Sequence, residues 1–251
     1  MPKIISIHSY RGGTGKSNTT ANLATLLAVE GMRVGVVDTD IQSPGINALF
    51  GLHESDMNKA LNDYLWGLCS ISEASYDVTD NLGADIKGKI FLIPSSLKAG
   101  EIARVLREGY DVGLLDAGFQ ELIKELELDA LLIDTHPGLN EETLLSIAIS
   151  DMVVLILRPD QQDYMGTSVT VEVARKLDVA QMVLAVNKIP DVFNFDDVKK
   201  RIEEAYKTEV AALLPHSDEM MILASEGIFA LRHPDHPVTQ TLKQLAKRIM
   251  E

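Results

Sequence analysis

Several classes of protein are excluded by what this sequence contains little of. Its only cysteine is Cys69, so neither an internal disulfide nor a metal site of several cysteines can form within the chain. The longest apolar run covers residues 152–157, which is far too short to span a bilayer. The apolar stretch near the N-terminus is also too short for a signal peptide. We therefore expect a protein of the reducing cytoplasm that does not associate with a membrane.

Positive charge is scarce as well. The chain has 23 Lys and Arg against 37 Asp and Glu, which gives a formal net charge of −14. This charge argues against a general nucleic-acid coat protein, so DNA binding would need a local cluster of basic residues. The best candidate is segment 232–251, where four basic residues stand against two acidic ones, a net charge of +2. The basic residues are Arg232, Lys243, Lys247 and Arg248.

Short apolar runs alternate with amphipathic segments along the whole chain. Strands that are apolar throughout and separated by helices predict a parallel sheet buried on both faces, with right-handed crossovers. We therefore predict one α/β domain over residues 1–251, a mostly parallel twisted sheet with helices on both faces. The polar segment 53–89 predicts a helical elaboration of that domain. Strands are predicted at 3–8, 33–38, 90–94, 130–134, 152–157, 181–187 and 210–214. Helices are predicted at 18–30, 100–108, 121–128, 141–149, 167–177, 198–206 and 238–250.

A glycine-rich turn follows the first predicted strand and opens a helix. Glycines allow successive backbone N–H groups to converge on phosphate oxygens, and the helix N-terminus adds partial positive charge. Lysine at position 16 can bind the β- and γ-phosphates of a nucleotide, and the hydroxyl at position 17 can bind Mg²⁺. The turn and the start of its helix read Arg11-Gly12-Gly13-Thr14-Gly15-Lys16-Ser17-Asn18.

This turn resembles the deviant Walker A box of the ParA/MinD family, Lys-Gly-Gly-x-Gly-Lys-[Ser/Thr]. Members of that family are dimerising ATPases that position plasmids, division proteins or other cargo. The resemblance implies a P-loop NTPase fold, ATP and Mg²⁺ as ligands, a homodimer formed on ATP, and nucleotide contacts from residues 12–18. The family's first lysine reaches the phosphates of the partner subunit, and Arg11 stands at its position. A replaced lysine is also a feature of the carboxysome-positioning branch, McdA.

Arginine keeps the positive charge of that lysine but is not interchangeable with it. Arg11 can reach across a dimer interface, contact phosphate within its own chain, or remain solvated. We favour the first role because arginine binds phosphate well. Arg158, after the strand 152–157, can face a phosphate or a partner, or form a structural ion pair.

Acidic residues stand where two predicted strands end. Asp38 and Asp40 point the same way from an extended segment, and ligands of parallel sheets bind at the carboxyl ends of the strands. These residues could instead cap the following helix. The two segments resemble the family's switches, which implies that Asp40 positions the attacking water, Asp38 supports Mg²⁺ and Asp134 holds Mg²⁺ through water. Asp116 also ends an apolar run, but no Pro-Gly pair follows it, and we expect it to start a helix.

Further site residues are implied by the same resemblance. Gly138, after Asp134, is expected to offer its N–H to the γ-phosphate, and His136 to be an ordinary hydrogen-bonding or solvated loop residue. Asn187 resembles the family's adenine-binding position. Pro215 and Asp218 resemble the loop that closes over the base. An ordinary turn at the end of a strand is the alternative for both base-binding segments.

The resemblance implies an ATPase that positions intracellular cargo. It implies that ATP drives dimerisation, that the dimer binds DNA of the nucleoid without sequence preference, and that an adaptor protein stimulates slow hydrolysis. The alternatives are a MinD-like membrane ATPase, a P-loop metabolic ligase and a nucleotide switch that does not hydrolyse. The terminal helix 238–250 lacks bulky aromatic residues, so we expect it to pack on the domain. One cysteine cannot supply the ligands of an iron–sulfur cluster, which excludes iron–sulfur relatives.

Overall fold

The computed structural model describes residues 2–251 and places eight strands in a single sheet. The strand order is β3-β4-β2-β5-β1-β6-β7-β8, and all neighbours run parallel except β3 and β4. The predicted mostly parallel sheet is thereby confirmed. The strands are β1 (Lys3–His8), β2 (Arg33–Asp38), β3 (Tyr76–Asp77), β4 (Lys89–Ile93), β5 (Ala130–Asp134), β6 (Met152–Leu157), β7 (Gln181–Ile189) and β8 (Val210–Pro215).

Helices follow most of the strands and cover both faces of the sheet. The one after β1 begins directly at the phosphate-loop lysine, two residues earlier than the apolar pattern predicts. The helices are α1 (Lys16–Val29), α2 (Ile46–Leu49), α3 (Leu61–Leu65), α4 (Ala99–Glu108), α5 (Gly113–Glu125), α6 (Glu141–Ala148), α7 (Gln161–Lys176), α8 (Phe195–Tyr206), α9 (Asp218–Ile222), α10 (Phe229–Arg232) and α11 (Pro237–Met250).

Alternate residues of the central strands supply separate apolar clusters on the two faces. Ile5 and Ile7 of β1 pack with α1 and α11, whereas Ile4 packs with α3 and α5. A third cluster joins β6 and β7 to α7 and α8. Because both faces are covered, the strands can be apolar throughout, which is the pattern that predicted a parallel sheet.

Helix starts are less well predicted than strands. Helix α7 begins at Gln161, six residues before its apolar pattern, because the carboxylate of Asp160 accepts hydrogen bonds from the backbone N–H groups of Gln162 and Asp163. Helix α5 begins at Gly113, so Asp116 lies in its first turn and does not start it. An acidic residue in a first turn is favourable because of the helix dipole.

Segment 53–89 differs from the predicted helical elaboration. Its helical parts are α3 and three short 3₁₀ turns, at Glu54–Asp56, Ser72–Ala74 and Asp80–Leu82. It also contributes strand β3, which pairs antiparallel with β4 and extends the sheet. The segment is anchored by Leu61 and Ile71, which are buried in the cluster that includes Phe119 of α5. Because isolated apolar residues of this kind are not spaced at a helical or strand period, the sequence pattern could not predict the short helices and the strand of this segment.

The C-terminal helix packs on the body of the domain, as expected. Leu242, Leu245 and Ile249 of α11 are buried in the cluster that contains α1 and β8. Over residues 2–251, no helix has both the length and the apolar character that crossing a membrane requires.

Candidate nucleotide site

The glycine-rich loop connects β1 to α1 at the carboxyl edge of the sheet. Gly15 has a φ of 98°, and a Cβ at this position would lie 2.5 Å from the side-chain Nδ2 of Asn187. Only glycine fits there without strain, for both conformational and steric reasons. Lys16 is the first residue of α1 and is largely buried, with Ser17 and Asn18 beside it in the first turn. The loop therefore has the form that a phosphate cradle requires.

Asn187 and Lys188, at the end of β7, brace this loop from the side. The Nδ2 of Asn187 donates to the carbonyl oxygen of Thr14 at 2.8 Å, and its Oδ1 accepts from the backbone N–H of Lys188 at 2.8 Å. The Nζ of Lys188 donates to the carbonyl oxygen of Gly13 at 2.9 Å. The sequence analysis missed this bracing role, and the expected contact of Asn187 with adenine stays a prediction.

Two of the predicted carboxylates meet because of strand register. Asp38 of β2 and Asp134 of β5 are direct partners in the sheet, and each is 1% exposed. Burial raises the pKa of Asp38 well above its ordinary value, and the charge of Asp134 raises it further. Burial also raises the pKa of Asp134, against the opposing effects of the Lys16 charge and the Ser17 hydroxyl. Two buried carboxylates in repulsion form a place where a divalent cation would be stabilising.

Other polar groups complete the surroundings of these carboxylates. Thr20 donates from Oγ1 to the Oδ1 of Asp134 at 3.2 Å. Asp38 accepts from the backbone N–H of Gly45, which precedes α2, at 3.3 Å, but no side chain caps α2, so the alternative role of Asp38 as a helix cap is not observed. The Oγ1 of Thr14 is buried without a hydrogen-bond partner among residues 2–251. Within the same range, no three His, Cys, Asp or Glu side chains are grouped so that they could hold a metal ion.

Asp40 lies beside this pair, in the loop after β2. Its Oδ1 is 2.6 Å from the Nδ1 of His136 and accepts from the backbone N–H of Ser43 at 3.2 Å. His136 is thus a hydrogen-bonding loop residue, as expected. The N–H of Gly138 donates to the carbonyl oxygen of Ser9 at 3.2 Å, so in this conformation it is not free for a γ-phosphate. The predicted phosphate contact therefore requires that hydrogen bond to be exchanged.

Arg11 is engaged within its own chain. Its Nη1 is 3.3 Å from Oδ1 of Asp163 and 3.6 Å from Oδ1 of Asp160. Arg158 binds the same carboxylates, with its Nε 3.0 Å from Oδ2 of Asp163. Of the roles considered for Arg158, the structural ion pair is the one observed. The Arg11 side chain is 38% exposed, so it is also partly solvated, and reaching a partner would require it to leave Asp163.

A buried histidine next to the loop was not predicted. His8, the last residue of β1, is fully buried, and its Nδ1 is 2.7 Å from the Oγ1 of Thr135. The Thr135 hydroxyl donates its hydrogen to the carbonyl oxygen of Ile7, so the Nδ1 of His8 must be the donor in the shared bond. Burial, then the charges of Lys16 and His136, lower the pKa of His8 to about 3. The imidazole is therefore neutral beside the phosphate loop.

This neutral histidine predicts a specific loss of stability in mild acid. Its pKa is about 3 when folded and about 6.5 when unfolded, so the unfolded chain binds the extra proton and stability falls as the pH falls through that window. The slope is at most about 1.4 kcal/mol per pH unit. Urea unfolding at pH 7 and pH 5 should show a larger loss for the wild type than for His8→Asn. Equal losses would contradict the assignment, because all other titrating groups are common to both proteins.

The two proposed base-binding residues, one at the end of β8 and one just after it, lie at the same edge of the sheet. Pro215 pairs in register with Ile189 of β7, which brings it near the phosphate loop's brace. Asp218 is the first residue of α9, and its carboxylate is 84% exposed and 3.3 Å from His216. The contact of Pro215 and Asp218 with a nucleotide base stays a prediction.

The candidate DNA-binding residues differ in how free their charges are to contact DNA. Arg248 donates to the carboxylate of Glu209 at 2.8 to 3.2 Å, so its charge is compensated. Lys243 is exposed, with its Nζ 3.4 Å from the carbonyl oxygen of Pro234. Arg232 and Lys247 are exposed too. The expected patch is therefore weaker than its sequence suggested, because a salt bridge to another part of the chain neutralises one member.

Known proteins share both the sequence pattern and the fold described above. The AAA domain family matches residues 2–186. The chain is 25% identical to an ATP-binding protein of Methanocaldococcus jannaschii, over 100% of this chain and 88% of that protein. It is 24% identical to an iron-sulfur cluster carrier protein of Pseudomonas fragi, over 98% of this chain and 84% of that one.

Two solved structures have the same fold over nearly their whole length. One is the septum site-determining protein MinD of Pyrococcus horikoshii with Mg-ADP, with a TM-score of 0.82, 22% identity, and coverage of 99% of this chain and 96% of that one. The other is an ATP complex of a McdA variant from Cyanothece, with a TM-score of 0.80, 17% identity and the same coverages.

The phosphate loop, the carboxylates at the strand ends and these matches define a P-loop protein. The chain belongs to the AAA domain family, and the resemblance to ParA/MinD-type P-loop ATPases that the sequence predicts is confirmed. The exclusion of iron–sulfur relatives was too broad, because carrier proteins of that kind are among the proteins it resembles. A single cysteine limits the cluster ligands that one chain can supply, but it says nothing about kinship.

Proposed function

We propose that this protein binds Mg-ATP at its phosphate loop, dimerises on it, and hydrolyses it to ADP and phosphate. The observation that carries the proposal is that the buried pair Asp38 and Asp134 lies at one edge of the sheet, within electrostatic reach of Asp40 and of the loop lysine Lys16. Support comes from the two solved structures of the same fold, which contain Mg-ADP and ATP.

The residues have different roles in the proposed hydrolysis. The loop N–H groups and the Lys16 ammonium bind the β- and γ-phosphates, and their positive charge stabilises the charge that develops in the transition state. Asp40 accepts a hydrogen bond from the attacking water and orients it toward the γ-phosphorus. Orientation of this kind lowers the entropic part of the barrier.

The oxygen donors around Asp134 suit Mg²⁺, which prefers carboxylate, hydroxyl, water and phosphate oxygens. Ser17 and Asp134 would hold the ion with the nucleotide, with Asp134 acting through water and Asp38 supporting from the neighbouring strand. When bound, Mg²⁺ supplies positive charge at the phosphate oxygens. Its charge would also favour the ionised form of both buried carboxylates, whose pKa values are raised first by burial and then by neighbouring negative charge.

Dimerisation gives Arg11 its proposed role in the partner's site. Asp163 is 2% exposed and is bound by both Arg11 and Arg158. If Arg11 leaves to reach a partner's phosphates, Arg158 remains, so no buried carboxylate is left without a positive partner. The free energy needed to release Arg11 is therefore small, because the strongly unfavourable outcome would be a buried charge without a partner.

Basal turnover is expected to be slow. The arginine that we propose to act on the partner's phosphates, Arg11, is held by Asp163 in the free chain. P-loop hydrolases without a stimulating partner turn over at roughly 10⁻⁴ to 10⁻² per second. We expect a rate in this range when phosphate release from Mg-ATP is measured, with an increase on adding DNA or an adaptor protein. Many turnovers per second in the purified protein alone would contradict the proposal.

As the biological role, we propose positioning of intracellular cargo at the nucleoid through ATP-dependent DNA binding. The support is the exposed Lys243, Lys247 and Arg232 in an otherwise acidic chain. A membrane is a less suitable surface, because the apolar residues of α11 are buried in the domain. Dimerisation would double the small patch, and each phosphate contact releases counterions, so binding should depend steeply on salt.

The double substitution Lys243→Glu, Lys247→Glu is therefore expected to reduce DNA affinity by about tenfold or more and to leave ATP-dependent dimerisation intact. Fluorescence anisotropy with random-sequence duplexes should be measured at two salt concentrations, with ATP, with ADP and without nucleotide. The matched control is Lys199→Glu, Lys200→Glu on α8, which changes the charge equally. A loss of DNA affinity in the control alone would place the DNA-binding residues on α8. Equal DNA binding with ATP, with ADP and without nucleotide would show that ATP does not control DNA binding.

A further inference from the structure

A side-chain hydrogen bond joins the two loops that follow β2 and β5. The Nδ1 of His136 is 2.6 Å from the Oδ1 of Asp40, although the two residues are 96 positions apart in the sequence. Both side chains are mostly enclosed, with 22% of His136 and 12% of Asp40 exposed. The bond is therefore shielded from water, which makes it worth more than an exposed one.

The chemistry of the two groups fixes the direction of this bond. An ionised carboxylate oxygen can only accept, so the Nδ1 of His136 carries the hydrogen and donates it. The backbone N–H of Ser43 donates to the same Oδ1 at 3.2 Å. The hydrogen bonds within residues 2–251 leave the other oxygen, Oδ2, available to an incoming group. Asp40 is thus held by one oxygen and presents the other.

His136 is itself fixed by its neighbours. Pro137 follows it and restricts the backbone of His136 to extended conformations. The Oγ1 of Thr143 in α6 donates to the backbone carbonyl of His136 at 3.2 Å. Because the backbone is held in this way, only the side-chain torsions of His136 lose freedom when it binds Asp40, which lowers the entropic cost of orienting the carboxylate.

We propose that His136 is a positioning residue for ATP hydrolysis, which holds the Oδ1 of Asp40 so that Oδ2 orients the attacking water. This inference rests on the proposed role of Asp40 as the water-positioning group. His136 acts through Asp40 and does not itself contact the nucleotide or the water. An opposite effect of the same bond would be to lock Asp40 in a resting state, and the two effects differ in the sign of the rate change.

The test compares two substitutions of the same shape. In His136→Asn the amide can still donate to Asp40, whereas His136→Leu has a nearly identical outline but no donor. We expect His136→Leu to lower kcat by about 10- to 100-fold, the effect of losing one hydrogen bond to a charged group. KM should change by less than about threefold, because the substrate contacts remain. His136→Asn should recover a large part of the rate.

A double-mutant cycle separates an effect through Asp40 from an independent one. We expect His136→Leu to cause no further loss in an Asp40→Ala background. The inference would be overturned if the fold-reductions in kcat of the two single variants multiply in the double variant. It would also be overturned if kcat is unchanged in His136→Leu alone. Either result would leave the role of Asp40 standing. A raised kcat in His136→Leu would also overturn it, in favour of the resting-state lock. If Asp40→Ala alone hydrolyses ATP at the wild-type rate, both the inference and the proposed role of Asp40 fail.

Discussion

Replacement of Lys16 by alanine is expected to reduce ATP binding below the detection limit of a calorimetric titration. Lys16 is the first residue of α1 and is 7% exposed, so its ammonium charge lies within the loop and is little screened by solvent. Each hydrogen bond between charged groups contributes about 1.5–3 kcal/mol, so the loss of contacts to two phosphates should weaken binding by about 100-fold or more. Alanine is the best helix former, so α1 should persist.

The control for this prediction is Lys243→Ala, which removes the same charge from an exposed position on α11. Its ATP affinity should equal that of the wild type, and both variants should unfold cooperatively on heating. An unchanged affinity in Lys16→Ala would show that the loop at 11–17 is not the phosphate site.

Asp40→Ala is expected to bind ATP normally and to accumulate as an ATP-bound dimer. If Asp40 only orients the attacking water, its loss spares the ground state and slows the chemical step. Loss of a group that orients or accepts from the nucleophile typically lowers a rate by about 100-fold or more. Size-exclusion chromatography with light scattering in Mg-ATP should then show a dimer that persists for much longer than that of the wild type.

Asp38→Ala is the informative comparison, because Asp38 is buried against Asp134 and should act on the metal instead of on the water. We expect it to weaken Mg²⁺-dependent ATP binding without trapping a dimer. If Asp38→Ala traps the dimer and Asp40→Ala does not, the roles of the two carboxylates are reversed. An Asp40→Ala variant that stays monomeric in ATP while the wild type dimerises would refute the role of Asp40.

The strands were predictable because their pattern is local. A strand buried on both faces must be apolar along its length, so β1, β2, β5 and β6 have the bounds that their apolar runs predict. Helix α7 was predicted six residues too short because its first turns are polar and only the cap at Asp160 marks its start. Segment 53–89 was predicted less well, because its buried residues are isolated anchors without a period.

The residues of the candidate site were likewise predictable only where their pattern is local. The glycine-rich loop and the acids at the strand ends could be identified, because phosphate binding by a strand–loop–helix unit requires those residue types within a few positions. The neutral state of His8 could not be predicted, since it depends on burial by the whole fold. Nor could the bracing of the loop by Asn187 and Lys188, which come from a strand more than 170 positions away.

The sequence by itself determined the class of protein, the alternation of strands and helices, and the residues that we predict to bind phosphate and Mg²⁺. Only the tertiary structure decided which of these residues act on one another. The register of β2 against β5 places Asp38 beside Asp134. Because these two strands are neighbours, the loops that follow them also meet, and His136 contacts Asp40. Helix α7 packs so that Asp163 holds Arg11 from 152 positions away. Such contacts depend on strand order and packing, which no local pattern contains, because residues distant in the chain become neighbours only when the sheet has formed.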